Sequence, residues 1–480
     1  MSRIAYLFLA AAVFALLGTG AGAAVRTTSH DSPVLTHGVV VGDVTADTAV
    51  LWGRADREGT LKVHLSGGKH HGAARLEFRA ADDYTGQAVL DGLRPGTTYR
   101  YRVGSEHGSF RTAPASGDAA PVRLAFGGDV AGQNVCRDTA EGFPIMGTIR
   151  AKRPDVFVGL GDMIYADNGC SSPGRFGNAQ VPGPGPAADL ATYWAHWRYN
   201  RADWASQRLL ESTSYVGVWD DHEVVDDFGP LNDTRSTPPY TPGVHLLPIG
   251  LEAFLDYIPI AIAPNTPKRL YRSLRWGKHV ELFVLDNRQY RDANAATDSP
   301  DRPKTMLGRE QLTWLKESLA ASDATWKVIV SSVPMSIPTG FPATAPRDGW
   351  ANFGGTTGFE QELLDILRFM EQHGVVNTVW LTTDVHFAEV FRYTPFPGFV
   401  VHELVTGPLN AGIFPNADVD QTLNPLVLFG PRPAVAPTTW NGAKDAFNFG
   451  TVEVDRGGRL TATIVNTAGE TLYSLTLMPR

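Results

Sequence analysis

Six apolar runs in the chain after residue 121 constrain its fold more than any other feature. They are VRLAF (122–126), DVFVGL (155–160), YVGVW (215–219), HVELFVL (279–285), WKVIVSS (326–332) and VNTVWLT (376–382). Strands that are apolar without alternation belong to sheets buried on both faces. Helical periodicity in residues 311–319 and 359–369 lies between the runs, and the last segment predicts a hairpin around Arg456. The pattern predicts an α/β domain over residues 121–480.

Polar residues follow five of the six runs directly, and the run ending at Ser332 is the exception. In chain order they are Asp129; Asp162 with Tyr165; Asp220, Asp221, His222 and Glu223; Asp286, Asn287 and Arg288; and Asp384 with His386. Ligands of such sheets bind outside the carboxyl ends of the strands, where residues distant in sequence converge. We therefore predict one site at this edge, surrounded by two Pro/Gly-rich loops at 169–186 and 238–267.

The residue types at the strand ends predict a metal site. Carboxylates and imidazoles suit divalent and trivalent ions, and several Asp side chains packed without lysine repel one another unless a cation lies between them. We expect two ions that share a water, which becomes hydroxide near neutral pH and attacks phosphorus in line with the leaving oxygen. Arg288, with its neighbour Asn287, is the candidate for binding phosphoryl oxygens. His222 is suited to protonating the departing alkoxide.

The acids of the chain are unevenly placed. Lys and Arg number 42 against 50 Asp and Glu, a net charge of −8 without a basic run, which argues against a nucleic-acid-binding surface. Five acids surround His222 within eight residues: Asp220, Asp221, Glu223, Asp226 and Asp227. We interpret Asp220 and Glu223 as residues that orient ligands. Four others fit either a calcium site or a solvated loop: Asp167, Asn168, Asp226 and Asp227.

The first residues predict export. Arg3 precedes an apolar run from Ile4 to Leu17 and then small residues, the pattern of a Sec-type signal peptide over residues 1–24. A membrane anchor is the alternative, but the run is shorter than the roughly 20 residues that a span needs, so we expect no membrane span. In a secreted or periplasmic protein, Cys136 and Cys170 are expected to form a disulfide, with two free thiols as the alternative.

Short alternating strands separated by polar or Gly-bearing turns fill residues 36–112 and predict a small all-β sandwich over residues 30–115. A linker at 113–121 follows it. The segment from Leu93 to Val103 resembles the tyrosine corner of fibronectin type III modules, with Trp52 as a core residue. Such a domain serves either ligand or wall binding or, as we favour, packing beside the catalytic domain.

Five strand-end segments resemble the successive signatures of the PhoD-like alkaline phosphatases, members of the calcineurin-like metallophosphoesterase superfamily. They are GGDVAGQ, GLGDMIYAD, WDDHEV, LDNRQYR and TDVHFA. The resemblance runs from about residue 36 to the C terminus. It implies a four-layer α/β-β-α core of two packed sheets and an exported enzyme that hydrolyses phosphate mono- or diesters. It also implies two or more metal ions, Fe³⁺ with Ca²⁺, other divalent ions being alternatives.

The resemblance assigns roles to particular residues. Asp162 falls at the bridging position, Tyr165 at an Fe³⁺ ligand, and Asp129 at the first-strand ligand, where some relatives have Cys. Asp221 with His222 stands where the superfamily has Asn-His, and Asp384 with His386 matches the late block, with Thr383 in place of a Gly. Alternatives stay open: Tyr165 as a structural hydrogen-bond donor, His222 as ligand or acid, and Arg288 in a salt bridge to Asp286.

These observations predict a metal-dependent phosphoesterase that acts on small phosphate esters or phosphodiesters. A diesterase specific for phospholipids, wall polymers or nucleotides is the alternative within the enzyme class. An adhesion or wall-binding protein with an inactive phosphatase-like domain is the alternative from another class, against which the retained Asp162, Asp384 and His386 argue. The sequence leaves the physiological substrate, the metal identities and the oligomeric state open.

Overall fold

The computed structural model describes residues 32–67, 70–232, 243–263, 265–340 and 346–480. The predicted signal peptide at 1–24 lies outside these residues. Residues Pro33–Arg480 form one compact unit. Among the helices of the described ranges, none has the length and apolar character that a membrane-spanning segment needs.

The strands, in chain order, are β1 (Leu35–Gly42), β2 (Ala49–Ala55), β3 (Gly59–Gly67), β4 (His70–Phe78), β5 (Thr85–Leu90), β6 (Thr98–Val103), β7 (Glu106–Arg111), β8 (Val122–Gly127), β9 (Val156–Gly159), β10 (Ser214–Gly217), β11 (Arg272–Trp276), β12 (Val280–Val284), β13 (Trp326–Val330), β14 (Thr378–Thr382), β15 (Ala388–Phe396), β16 (Phe399–Val405), β17 (Pro425–Arg432), β18 (Asn448–Val454), β19 (Leu460–Asn466) and β20 (Thr471–Leu477). The helices are α1 (Pro144–Ala151), α2 (Leu190–Arg201), α3 (Trp204–Leu210), α4 (Gly243–Tyr257), α5 (Gly308–Ala321), α6 (Glu360–Gln372) and α7 (Trp440–Ala446).

Two large sheets form the core. One has nine strands in the order β20-β19-β18-β8-β9-β10-β1-β2-β5, and the other has seven in the order β11-β12-β13-β14-β16-β15-β17. Each sheet contains three neighbouring parallel strands, β8, β9 and β10 in the first and β12, β13 and β14 in the second. All six predicted apolar runs are therefore strands, and their parallel pairing brings their carboxyl ends together within each sheet.

The burial of alternate residues shows how the sheets are layered. In β9, Val156 and Val158 belong to the core cluster between the sheets, whereas Phe157 packs with the helices on the outer face. In β13, Val328 points inward and Ile329 packs against the helices of the other side. Because both faces of each sheet are covered, the strands carry no polar alternation. The predicted four-layer α/β-β-α architecture is confirmed.

The N-terminal strands are joined to the core more closely than a separate sandwich would be. Strands β3, β4, β6 and β7 form a four-stranded sheet, but β1, β2 and β5 extend the nine-stranded sheet. The connection is a parallel pairing of β1 with β10, with Gly42 opposite Tyr215. The all-β region of the prediction is therefore present, and one of its two sheets continues into the large domain.

Two local expectations differ from the structure. Trp52 is buried as predicted, but it packs outward, donating from Nε1 to the Asp256 carbonyl at 2.7 Å with its ring 5.6 Å from that of Tyr257. The segment expected to be a loop at 238–267 contains helix α4, because its buried apolar face offsets the cost of Pro248 inside the helix. Tyr99 behaves as the tyrosine corner predicts, since its hydroxyl accepts from the Arg94 amide at 2.8 Å.

Candidate metal centre

The predicted site residues come from the carboxyl ends of five of the six parallel strands and meet where the two sheets face each other. The ligand-type atoms of Asp129, Asp162 and His386 lie within 4.8 Å of one another. Those of Asp162, Asp220, Asp221 and Asp384 form a second such group, and those of Asp162, Asp221 and His222 a third. We call these seven residues the strand-end cluster. Asp162 belongs to all three groups, which is the position expected of a bridging ligand.

The backbone at four of these residues has an uncommon conformation. The φ angles of Asp129, Asp162, Asp384 and His386 are 64°, 52°, 79° and 63°, in the left-handed region. Asp and His are among the residues that tolerate this region, but each costs free energy relative to extended or helical backbone. Strain of this kind concentrates at functional sites because it aims side chains that regular strands would send elsewhere.

Tyr165 and His386 form the aromatic wall on the Asp129 side of the cluster. The Tyr165 hydroxyl lies 2.9 Å from His386 Nε2 and 3.4 Å from Asp129 Oδ1. His386 Nδ1 lies 2.6 Å from the Gly412 carbonyl and must donate to it, which leaves the Nε2 lone pair for another partner. Thr383 places its hydroxyl 2.5 Å from Asp129 Oδ2. Tyr165 and His386 therefore direct an oxygen and a nitrogen toward Asp129.

Glu223 accepts hydrogen bonds from the backbone of two segments that carry residues of the cluster. Its carboxylate accepts from the amides of Asp162 at 3.0 Å, Met163 at 2.7 Å and Asp220 at 2.7 Å. Both of its oxygens are thus occupied by backbone donors, as the interpretation of Glu223 as an orienting residue requires.

Arg288 is enclosed within the protein. Its Nε donates to Asp220 Oδ1, and its Nη1 donates to Asp348 Oδ2 at 3.1 Å and to the Phe228 carbonyl at 3.3 Å. Asp286 instead accepts from Trp219 Nε1 at 2.8 Å and from the Arg288 amide at 3.1 Å. The predicted alternative, a salt bridge between Arg288 and Asp286, is therefore wrong, because Arg288 pairs with Asp220 and Asp348 instead. Among the described residues Nη2 has no hydrogen-bond partner, and it lies 3.7 Å from Asp221 Oδ1, so this part of the guanidinium faces the cluster.

Asn287 is placed differently from the prediction that it binds substrate. The side chain is buried, and its oxygen accepts from the Ser332 amide at 3.2 Å while its nitrogen contacts Met306 Sδ at 3.0 Å. It joins the ends of β12 and β13, so the structure does not support a contact with substrate.

His222 lies between two carboxylates. Its Nδ1 is 2.8 Å from Asp167 Oδ1 and its Nε2 is 3.4 Å from Asp226 Oδ1. The Tyr165 ring packs on the imidazole with the centroids 4.1 Å apart. Carboxylates thus face both ring nitrogens, and His222 forms two groups of ligand-type atoms, one with Asp162 and Asp221 and one with Asp167 and Asp226. The geometry fits a proton donor and a metal ligand equally.

Asp348 is the site residue that the sequence reading missed. It lies within 4.8 Å of Asp221 and Asp227 through their carboxylate oxygens, and one of its own oxygens has no hydrogen-bond partner. The apolar run before it ends at Ser332 without an acid, and Asp348 follows only after a long loop. The sequence signal that could have led to Asp348 is the lack of an acid directly after β13. Ser332, which stands at that strand end, donates to Asp220 Oδ1 at 2.7 Å.

The electrostatics of the cluster fit bound cations. Burial raises the pKa of Asp162 well above its usual range, and repulsion from Asp221 and Asp220 adds to the effect. Burial also raises the pKa of Asp384, with Asp348 as the next cause. Among the residues that the structure describes, one buried oxygen each of Asp162, Asp220 and Asp348 has no hydrogen-bond partner. Carboxylates are rarely left buried in this state unless an ion completes their contacts, so the residues present fit a metal centre.

The loop beside the cluster is fastened by the predicted disulfide. Cys136 and Cys170 are bonded, with their Cα atoms 6.0 Å apart. Asn134 reinforces the connection, since its Oδ1 accepts from the Ser171 amide at 2.8 Å and its carbonyl accepts from the Arg175 amide at 2.8 Å. The loop after Cys170 is therefore held against the segment that follows Asp129.

Known proteins resemble this chain in sequence and in fold. Residues 124–457 match the profile of the PhoD-like phosphatase family, and residues 21–114 match that of the PhoD-like phosphatase N-terminal domain. Alkaline phosphatase D of Bacillus subtilis (strain 168) is 26% identical over 395 residues, which are 73% of this chain and 64% of that protein. The chain thus spans just under two thirds of the curated relative.

Two solved structures share the fold. A structure of PhoD superposes with a TM-score of 0.71 at 20% identity, covering 93% of this chain and 94% of that one. The purple acid phosphatase PPD1 from yellow lupin (Lupinus luteus) seeds superposes with a TM-score of 0.60 at 13% identity, covering 93% of this chain and 74% of that one. Both likenesses extend over the two sheets and the N-terminal strands.

Proposed function

The chain belongs to the PhoD-like phosphatase family, and from this premise we propose that it hydrolyses phosphate esters with metal ions held by the strand-end cluster. The observation that carries the proposal is Asp162. Its carboxylate is shared by three groups of ligand-type atoms, and its buried Oδ2 has no hydrogen-bond partner within the described ranges of the chain.

We assign the ligands to two ions. Asp129, Tyr165 and His386 would hold one ion together with Asp162, and the phenol oxygen favours Fe³⁺ there. Asp221 and Asp384 would hold the second ion together with Asp162, and a set of carboxylates suits Ca²⁺ or another hard divalent ion. Bound ions would supply Lewis-acid activation of water and neutralisation of phosphoryl charge.

The chain's own residues would position these groups and move one proton. Thr383 and Glu223 hold Asp129 and the backbone of Asp162 through the hydrogen bonds described above. Asp167 fixes the ring orientation of His222 and stabilises its protonated form. The proton on His222 Nε2, which faces Asp226 in this structure, would pass to the oxygen of the departing alcohol. Arg288 contributes Nη2 toward the phosphoryl group and otherwise orders Asp220.

Hydrolysis of p-nitrophenyl phosphate and bis-p-nitrophenyl phosphate tests the proposal. We expect the metal-loaded full chain to release p-nitrophenol, a chelator to abolish the release, and added metal to restore it. The ratio of the two rates shows the preference between monoester and diester. Metal-loaded protein that turns over neither compound, or turnover that is indifferent to metal removal, would contradict the proposal.

We further propose that the protein is exported. The disulfide between Cys136 and Cys170 supports this, because such bonds persist mainly in oxidising compartments. The expected result of fractionation is mature protein outside the cytoplasm, with an N terminus that begins after Ala24. Full-length protein retained in the cytoplasm with both thiols reduced is the opposite result.

A further inference from the structure

Arg175 is an exposed cation beside the strand-end cluster. It belongs to the loop that the disulfide fastens, and its guanidinium carbon lies 4.9 Å from the centre of the Phe414 ring. In the part of the chain that the structure describes, its guanidinium has neither a salt bridge nor a hydrogen bond. The donors at the edge of the guanidinium are therefore open to a ligand from solvent.

Phe414 connects this cation to the candidate site. The Phe414 ring centroid lies 5.2 Å from that of His386, a member of the cluster. The ring is nevertheless 41% exposed, although an aromatic side chain so close to the core gains by full burial. Gln133 Oε1 accepts from the Gly412 amide at 3.0 Å and so anchors the Phe414 segment to the loop after Asp129. An exposed ring is thus held in a fixed place next to the cluster.

Two of the cations near the cluster, Arg288 and Arg175, differ in burial and in their partners. Arg288 is buried, and its guanidinium is engaged by Asp220 and Asp348. It contacts groups inside the cluster and has no exposed surface for the part of a substrate that extends outward. Arg175 has the opposite arrangement, exposed and without an acidic partner. A negative group on the leaving alcohol would meet repulsion from the surrounding carboxylates unless a cation such as Arg175 received it.

We propose that Arg175 and Phe414 form a leaving-group subsite, which selects phosphate esters whose leaving group is planar and carries a second anionic substituent. The Phe414 ring packs against the planar part, and the guanidinium edge binds the carboxylate or phosphate. This inference rests on the proposed phosphatase function and adds a substrate class to it. Arg175 is a specificity-determining residue, since it belongs to none of the groups of proposed metal ligands.

Two nearly isosteric substrates test the subsite, 4-carboxyphenyl phosphate and 4-carbamoylphenyl phosphate. They differ in the charge of the para substituent, so the ratio of their kcat/KM values isolates charge recognition. We expect Arg175→Gln to lower the ratio about tenfold, the effect of one charge-assisted hydrogen bond. Arg175→Lys should retain most of the preference, and the wild-type preference should shrink in about 0.5 M salt. Phe414→Leu should raise KM for both substrates.

The control is Arg100→Gln, a change at an exposed arginine of β6 in the four-stranded sheet, which should leave the ratio unchanged. Hydrolysis of both esters with the same ratio in wild type and Arg175→Gln overturns the subsite and leaves the phosphatase function standing. If metal-loaded wild type hydrolyses neither of these esters nor the p-nitrophenyl compounds, the proposed function fails. In that case calorimetry measures how tightly the two corresponding phosphonates bind. A preference for the carboxylate compound that is lost in Arg175→Gln supports the subsite, and equal affinity of wild type for the two compounds overturns it.

Discussion

At single residues, the candidate metal centre depends on backbone conformations that most side chains avoid. Asp129, Asp162, Asp384 and His386 all have positive φ angles, each at a cost of about 1 kcal/mol. The cost is offset by the rest of the fold, and its effect is to aim four side chains at one point. Asn tolerates this conformation as well as Asp does, so Asp162→Asn removes a charge without adding strain.

Gly132 is the residue whose replacement tests the placement of Tyr165. A Cβ at this position would lie 2.5 Å from the Tyr165 ring, and the His222 ring packs on the same tyrosine with the centroids 4.1 Å apart. We expect Gly132→Ala to lower kcat at least tenfold and stability by about 1–3 kcal/mol, because the buried ring must shift. In iron-loaded protein, the phenolate absorption band should weaken in parallel.

Gly147→Ala is the matched control, since a Cβ at Gly147 in α1 meets nothing within 4 Å. Activity and the absorption band should both stay at the wild-type level in this variant. Wild-type activity in Gly132→Ala would show that Tyr165 has no part in the site.

Whether the sequence predicts a site residue depends on how many positions separate that residue from the end of the strand before it. Asp129, Asp162 and Asp384 follow apolar runs within a few positions, so strand order alone brings them together. Asp348 lies beyond a long loop from its strand, where no local pattern marks it. Asn287 also stands at a strand end, but its side chain is buried in the core. Its position next to a strand in the sequence does not determine where the side chain lies.

At the scale of elements, the apolar runs predict the two parallel sets of strands because burial on both faces leaves no other pattern. Helix α4 was missed because Pro248 and the neighbouring Pro and Gly residues signal a loop, while the face that favours a helix is buried only in the assembled fold. The pairing of β1 with β10 is likewise a long-range contact, and hydrophobic periodicity carries no information on it.

The seven-stranded sheet also contains two buried acids outside the metal centre. Glu403 accepts from the Met335 amide at 2.8 Å and the Tyr393 hydroxyl at 2.5 Å, whereas Glu389 Oε2 has no hydrogen-bond partner. Burial raises the pKa of Glu403 to about 7. It raises that of Glu389 to about 8, and repulsion from Glu403 adds to the effect.

A pH dependence of stability follows from Glu389. A carboxyl with a raised folded-state pKa contributes stability that is complete below its unfolded pKa, about 4.3, and is lost as pH rises through the folded value. Glu389→Gln cannot ionise, so it should lose less free energy of unfolding between pH 5 and pH 8 than wild type, by on the order of 1–3 kcal/mol. Urea unfolding at both pH values measures this difference.

The control for this comparison is Glu317→Gln, a change at an exposed position of α5, which should follow the wild-type pH dependence. Identical pH profiles for wild type and Glu389→Gln would mean that Glu389 is ionised in the folded protein throughout this range.

At the scale of the whole molecule, the N-terminal strands and the large sheets are parts of one compact unit. Asp83 lies where they meet. Its carboxylate accepts two bonds from Arg54, both at 3.1 Å, one from Arg198 of α2 at 2.6 Å and one from the Tyr257 hydroxyl of α4. The buried carboxylate therefore joins the N-terminal region to two helices of the larger domain.

Asp83→Asn tests whether this junction stabilises a molecule that unfolds as one unit. The change keeps the shape of the side chain but leaves two partly buried arginines without their counterion, and we expect a loss of about 3 kcal/mol. Circular dichroism and tryptophan fluorescence should still report one coincident transition. Asp91→Asn, at an exposed position, should match wild type. Separate transitions for the N-terminal strands and the large sheets would contradict the account.

The central claim is that Asp162 bridges metal ions on which phosphate ester hydrolysis depends. The most direct measurement is the metal content per chain, counted by elemental mass spectrometry with the p-nitrophenyl phosphatase rate of the same samples. Asp118→Asn, at an exposed position, is the control. We predict two or more ions in wild type and in the control, and loss of metal together with activity in Asp162→Asn. Wild-type metal content and activity in Asp162→Asn would contradict the claim.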